Sequence, residues 1–383
     1  MRTWLIGGAA LLMLAAAGFF LFAPAWVEGS MNKVVPVPLR ITAAARGFPV
    51  ADMHADTLMW QRNLLLRSDR GQVDLPRLIA GGYALQVFSS VTKTPRGQNY
   101  DANGADSDNI TALVIAQRQP RRTWGSLLER SLFHAEKLGR YAAASGGRLR
   151  VVHLPADLDG AGQRGAPVLA MLSIEGLQAM EGDIANLDRL YVAGFRMAGL
   201  AHFFDTDVAG SMHGEHKGGL TPLGRQVVRR MEALGMIVDV AHASHAAVAD
   251  ILAMARRPVV SSHGGVQATC GVNRNLSDAE IRGIARTGGV IGIGYWEAAI
   301  CGTTPDRVAA AILHVRDVAG IDHVGLGSDF DGAVTTGFDA AGVPAVAQAL
   351  LDRGLSRDDV AKVMGGNVLR VVRAGIAPEE ARP

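Results

Sequence analysis

GMIVDVAHASHAAVADILAMARRPVVSSHGG, residues 235–265, carries the fold decision. Two apolar runs rich in β-branched residues, Gly235–Val240 and Pro258–Ser262, each end in a histidine, His242 and His263. The stretch between them is long enough for a crossover helix, so the two runs read as consecutive parallel strands. An imidazole at the end of a buried strand is costly unless it is paired or bound to a metal. Finding that cost twice at the same point of neighbouring strands suggests one shared cavity at one end of a sheet.

Working outward, the same arrangement recurs. Apolar runs at Phe48–Met53, Ala84–Val91, Val168–Ile174, Gly194–Ala201, Gly289–Tyr295 and His323–Gly327 bring the strand count to eight. Helix-like stretches such as Thr221–Leu234 and Pro305–Ala319 lie between them, and Ser277 caps a helix start with acids in its first turn. Eight alternating units predict a (β/α)8 barrel of the TIM type, and the metal-preferring side chains that end its strands would make it one of the metal-dependent hydrolase kind. Residues 92–167 are too long for a simple connection and read as an insertion, with a helix from Ile110 to Ala144 and a short strand in RLRVVHL. The glycine-rich loop DTDVAGSMHGEHKGG, after the fourth strand, reads as a lid. A closing helix follows Ser356 in LSRDDVAKVMGGNVLRVV.

With 383 residues, 49% hydrophobic and 19% charged, the chain can bury one large core. A net charge of +2 with no basic block gives nucleic acid no electrostatic footprint. Residues 1–27 differ from the rest. Trp4 to Phe22 is uncharged behind Arg2, long enough to span a bilayer, and is followed by Ala23-Pro24-Ala25, a cleavage-site pattern. Both a cleaved signal peptide and an uncleaved anchor fit. Either places the bulk of the chain outside the cytoplasm, in the periplasm or another extracytoplasmic space. A linker over 28–46, a barrel domain over 47–376 and a polar tail over 377–383 complete the expected organisation. Cys270 and Cys301, the two cysteines, either pair as a disulfide or remain buried thiols.

At the strand ends stand His54, Asp56, Glu175, His242 and His263, with Asp329 ending the eighth run. Imidazole and carboxylate without thiolate favour zinc, manganese or iron at a hydrolytic centre. His54-x-Asp56 places both side chains on one strand face, and Glu175 could bridge two ions through its two oxygens. A pair of ions about 3.5–4 Å apart can hold a bridging hydroxide and polarise a carbonyl. Asp329 would then move the proton, and His202 would stabilise the oxyanion. Arg274 in the loop after the sixth strand would suit a substrate carboxylate, although on spacing alone a solvated position fits it better. Asp331 reads as a turn residue before Gly332, and His213, His216 and His245 as loop or surface residues.

These residues lie within longer stretches that resemble the membrane (renal-type) dipeptidases, zinc metallopeptidases of the amidohydrolase-like barrel group. The resemblance runs from about Phe48 to Val372 through DMHADTL, SIEG, LAHFFDT, RPVVSSHGG, CGVNRNLSD and GLGSDFDG. It implies two zinc ions per chain held by His54, Asp56, bridging Glu175, His242 and His263. It implies Asp329 as acid/base, His202 on the oxyanion side and Arg274 on the dipeptide carboxylate. It also implies a Cys270–Cys301 disulfide. The expected activity is hydrolysis of dipeptides, with tolerance for a C-terminal D-residue and rejection of longer peptides. A homodimer is a further expectation, and membrane attachment would come through the N-terminal segment. A related amide hydrolase, such as an N-acyl-amino-acid deacylase, and a non-catalytic metal-stabilised binding protein are the competing readings.

Overall fold

The computed structural model describes residues 13–15 and 17–378. The first part of the expected signal or anchor and residues 379–383 of the polar tail lie outside the described residues. Eight parallel strands close into a barrel: β1 (Val50–Ala55), β2 (Tyr83–Val91), β3 (Val168–Glu175), β4 (Phe195–Gly199), β5 (Ile237–Asp239), β6 (Val260–Ser261), β7 (Val290–Ile293) and β8 (Val324–Leu326). Each neighbours its successor, and β8 pairs with β1 through Leu326 and Asp52. Every expected run overlaps one of these strands. A short extra strand, Leu149–Val151, lies parallel to the start of β3.

Helices cover the outside: α1 (Leu75–Gly81), α2 (Leu127–Ala144), α3 (Ala185–Val192), α4 (Pro222–Leu234), α5 (His245–Met254), α6 (Asp278–Arg286), α7 (Pro305–Ala319) and α8 (Pro344–Asp352). Local chemistry sets their starts. Thr221, Ser244, Ser277 and Thr304 each accept a backbone N–H from the first turn, and Ser277 forms a reciprocal capping box with Glu280. The helix expected over 110–144 is instead three helices, Ile110–Ala116, Arg122–Gly125 and α2. Arg118 adopts a left-handed φ of 55°, Pro120 lacks a donor, and the extended Ser126 caps a new start.

Two apolar layers result. One lies between strands and helices, and includes Leu172, Ile174, Val238 and Val240. The other fills the barrel, with Ala51, Met53, Leu85, Leu169, Met171 and Ile237 facing inward. Val368, Val371 and Val372 of α9 (Asn367–Gly375) join this inner layer. They plug the end of the barrel opposite the strand C-termini. A wider π-helical turn, Lys362–Gly366, precedes α9. A Cβ on its Gly365 would lie 2.4 Å from the Pro49 carbonyl oxygen, so glycine lets that turn seat against β1.

Among the described residues no single helix is long and apolar enough to cross a membrane. The bent pair Met13–Leu21 and Ala23–Met31, 42° apart, reaches that length and composition together. After this pair the expected linker is ordered: Lys33–Val34 pairs in parallel with Thr335–Thr336.

Candidate metal centre at the barrel mouth

Glu175 reaches the cavity by plain strand alternation, since Leu169 and Met171 of the same strand face inward. His54 does not. Val50 packs outward while Ala51 and Met53 pack inward, so strict alternation would turn His54 away. The pairing register of β1 shifts between Asp52 and Ala55, and this irregularity returns His54 and Asp56 to the mouth. His242 and Asp329 are turned in by left-handed backbone, with φ of 64° and 60°.

Glu175 is the hub. Its Oε1 lies 3.0 Å from His242 Nε2, 3.2 Å from His263 Nε2 and 3.6 Å from His202 Nε2. Its Oε2 lies 3.6 Å from His54 Nε2, which is also 3.4 Å from Asp56 Oδ1 and 3.8 Å from Asp329 Oδ1. All seven side chains are buried. Three overlapping groups can each hold a metal ion: His54, Glu175 and His263; Glu175, His202 and His242; His54, Asp56 and Asp329. The expected site residues therefore converge on one centre, and His202 sits among the possible ligands rather than behind them.

The electrostatics fit cations. Burial alone would raise the Glu175 carboxyl, but the surrounding imidazoles, His202 and His54 first, hold it well below the usual range. Burial, then Glu175, raises Asp56 to about 6. Asp329 is driven well above its ordinary value by burial and by Asp56 and Glu175. Burial, reinforced by Arg274, keeps His242 and His263 neutral, as metal ligands must be. Despite its burial, His54 is pushed the other way by Glu175 and Asp56. A bound cation would reverse that preference, because it would neutralise the same carboxylates. The buried His54 Nε2 and Asp56 Oδ1 have no hydrogen-bond partner, so their lone pairs are free for a ligand. The donor set of four imidazoles and three carboxylates suits zinc or a similar divalent ion.

Arg274 is buried rather than solvated. Its Nη1 donates to the His263 carbonyl oxygen (3.2 Å), its Nη2 to His242 Nε2 (3.2 Å), and its plane lies 4.8 Å from the Trp296 ring. Cys270 and Cys301 form a disulfide that ties the loop bearing Arg274 to the loop bearing Trp296.

Two loop residues are more deeply buried than their polarity suggests. His213 is not a surface residue: it is buried, stacked on Phe203 at 4.5 Å, and burial pushes it down to about 3. Within its loop, Asp205 accepts backbone N–H groups from Ser211, His216 and Lys217. Asp331 does lie in a turn before Gly332, as expected. Fully buried, it accepts from Thr57 Oγ1 (2.7 Å) and Gln72 N (2.6 Å) and pairs with Arg62. His216 and His245 are exposed, as expected.

Two further carboxylates escaped the sequence reading. Asp52 accepts from His54 N (3.0 Å) and Ser328 N (3.1 Å), joining β1 to the Asp329 turn. Asp239 accepts from Ala241 N (2.9 Å) and Ser262 N (2.8 Å), joining the ends that carry His242 and His263. An aspartate two or three residues ahead of a strand-end histidine was the available signal. The centre opens into a cavity of about 560 Å³ lined by Tyr100, Phe203, Arg274 and Trp296 on one side. Met59, Trp60, Val91 and Ile110 line the other.

A model of the family described as membrane dipeptidase (peptidase family M19) matches residues 39–380. A dipeptidase of Aspergillus oryzae is 31% identical over 346 residues, covering 85% of this chain and 77% of that protein. A dipeptidase of Claviceps purpurea is 32% identical, covering 79% and 69%. Among solved structures, a metallopeptidase of Rhodobacter sphaeroides holding a phosphinate mimic of L-Ala-D-Ala superposes with a TM-score of 0.72. The two share 23% identity over 86% of this chain and 99% of that one. A probable dipeptidase of Pseudomonas aeruginosa gives 0.73 at 22%, covering 86% and 96%.

Proposed function

This chain belongs to the membrane dipeptidase family and is a metallo-dipeptidase, and on that premise we propose that it cleaves dipeptides at a centre of two divalent ions, zinc by preference. Glu175 would bridge them, with His54 and Asp56 completing one site and His242 and His263 the other. Such ions, when bound, supply a deprotonated water at neutral pH and polarise the scissile carbonyl. The observation that carries this reading is the Glu175 carboxylate, shared among four imidazoles within 3.6 Å.

The chain's own groups do the remaining work. Asp329, whose Oδ1 lies 3.8 Å from His54 Nε2, would take a proton from the attacking water and return it to the leaving amine. His202, whose Nε2 lies 3.6 Å from Glu175 Oε1, would stabilise the oxyanion formed at the scissile carbonyl. Arg274, fixed over Trp296, receives the C-terminal carboxylate, so a third residue would leave that guanidinium unmatched. The same reading includes tolerance for a C-terminal D-residue.

The test is a panel of L-Ala-L-Ala, L-Ala-D-Ala, a tripeptide and N-acetyl-alanine, run with the full chain. Dipeptide cleavage with the tripeptide spared is the expected result. Cleavage of the N-acetyl compound alone would make the enzyme a deacylase. Inertness toward the whole panel with metal bound would favour a binding protein. We also place the enzyme outside the cytoplasm and held at a bilayer by its N-terminal run. Its recovery in the membrane fraction, released only by detergent, checks this.

A further inference from the structure

Helix Ala23–Met31 lies against the barrel mouth and contributes Ala23, Pro24, Val27 and Met31 to the wall of the cavity. Val27 packs on a small apolar cluster of Met59, Trp60, Val91, Ile110 and Val114, separate from the two main layers. A buried charge holds the helix there. Glu28 is 1% exposed, its Oε1 accepting from Arg62 Nε at 2.5 Å and its Oε2 from Arg70 Nε at 3.4 Å. Arg62 continues to Asp331, two residues beyond Asp329. Below the helix, Asn32 Oδ1 accepts from Ala333 N (2.8 Å), and Lys33–Val34 continues along Thr335–Thr336. A carboxylate taken out of water is tolerable only while its partners stay in place. A leader discarded after export would have no use for one.

The barrel order fixes which part of a substrate meets this wall. In a ring of eight, β2 stands opposite β6. Arg274 follows β6, whereas Met59, Trp60 and Val91 come from the ends of β1 and β2. A dipeptide with its carboxylate on Arg274 therefore points its N-terminal residue at Val27, Met31 and the apolar cluster. From this we infer that helix Ala23–Met31 is a retained part of the enzyme and its specificity wall. It selects dipeptides whose N-terminal residue is bulky and apolar, with Glu28 as the positioning residue. This rests on the dipeptidase reading above.

The experiment uses the full chain in detergent. The wild type should cleave Leu-Ala with a higher kcat/KM than Ala-Ala. The double variant Val27→Ala/Met31→Ala should lower the Leu-Ala to Ala-Ala ratio about tenfold, mainly through KM, as losing apolar contact in a pocket does. A ratio unchanged by the double variant, or a loss shared equally by both substrates and carried by kcat, would overturn the wall. Hydrogen exchange at residues 24–31 tests the lock separately: Glu28→Gln should speed it at least tenfold, and unchanged exchange would overturn that role. A wild type that cleaves neither dipeptide would sink the dipeptidase reading, and the specificity with it. The exchange measurement would still decide whether the helix is seated.

Discussion

Backbone strain and two hidden carboxylates aim the side chains of the centre. His242 and Asp329 stand at φ of 64° and 60°, a region costly for non-glycine residues. Asp239 offsets that strain by accepting Ala241 N and Ser262 N at once, and Asp52 does the same for His54 N and Ser328 N. Asp239→Asn is expected to weaken metal binding by about 10- to 100-fold, the usual cost of losing a group that orients ligands. Metal content after dialysis against a graded chelator series would check it. Asp329→Asn should leave metal content intact while lowering kcat by about 10²–10⁴-fold, the range general acid–base groups contribute. An equal loss of metal and rate would make Asp329 a ligand instead. The sequence was legible wherever regular geometry governs. Glu175 follows from alternation along β3, but His54 needs a register shift and His242 a left-handed turn. In those two cases the residue type at the end of the run, rather than its parity, was the informative signal. The burial of His213 and Asp331 was not legible, because loop residues look solvated in sequence. Their burial comes mainly from partners far along the chain, Tyr100 for one and Arg62 and Gln72 for the other.

Among the elements, the loops after β6 and β7 act as one unit. The Cys270–Cys301 disulfide closes a separation of 31 residues and holds Arg274 beside Trp296. Replacing both cysteines with alanine should cost about 2–4 kcal/mol, the range for a loop of this size. Thermal unfolding without reductant measures that, and a raised KM for dipeptides should accompany it. The helices were legible through their caps, and α7 lies at Pro305–Ala319 as the sequence suggested. The break around Pro120 was also written in the chain, since a proline there cannot continue a helix from Ile110. The docking of helix Ala23–Met31 was not legible. Its uncharged approach resembles any export signal, whereas the burial of Glu28 against Arg62, the packing of Val27 and the bond from Ala333 N to Asn32 Oδ1 seat its last turns against the barrel. A chain begun at Asn32 would lack that wall.

For the molecule as a whole, the barrel converges three carboxylates, Asp56, Glu175 and Asp329, in one buried place. Their mutual repulsion makes the metal-free protein less stable than the loaded one. Zinc at a hundredfold excess over its Kd should add about 2.7 kcal/mol of stability by mass action, seen as a rise in Tm that chelator reverses. The closed barrel, plugged by α9 on one side and walled by the N-terminal helix on the other, supplies the rigid frame that such a crowded centre requires. The most direct test of the account is to strip the full chain with chelator and titrate zinc back while following hydrolysis of L-Ala-L-Ala. The stripped protein should show no hydrolysis, and the full rate should return once two equivalents per chain have been added. Hydrolysis that persists without metal, or that saturates with no dependence on added zinc, would contradict it.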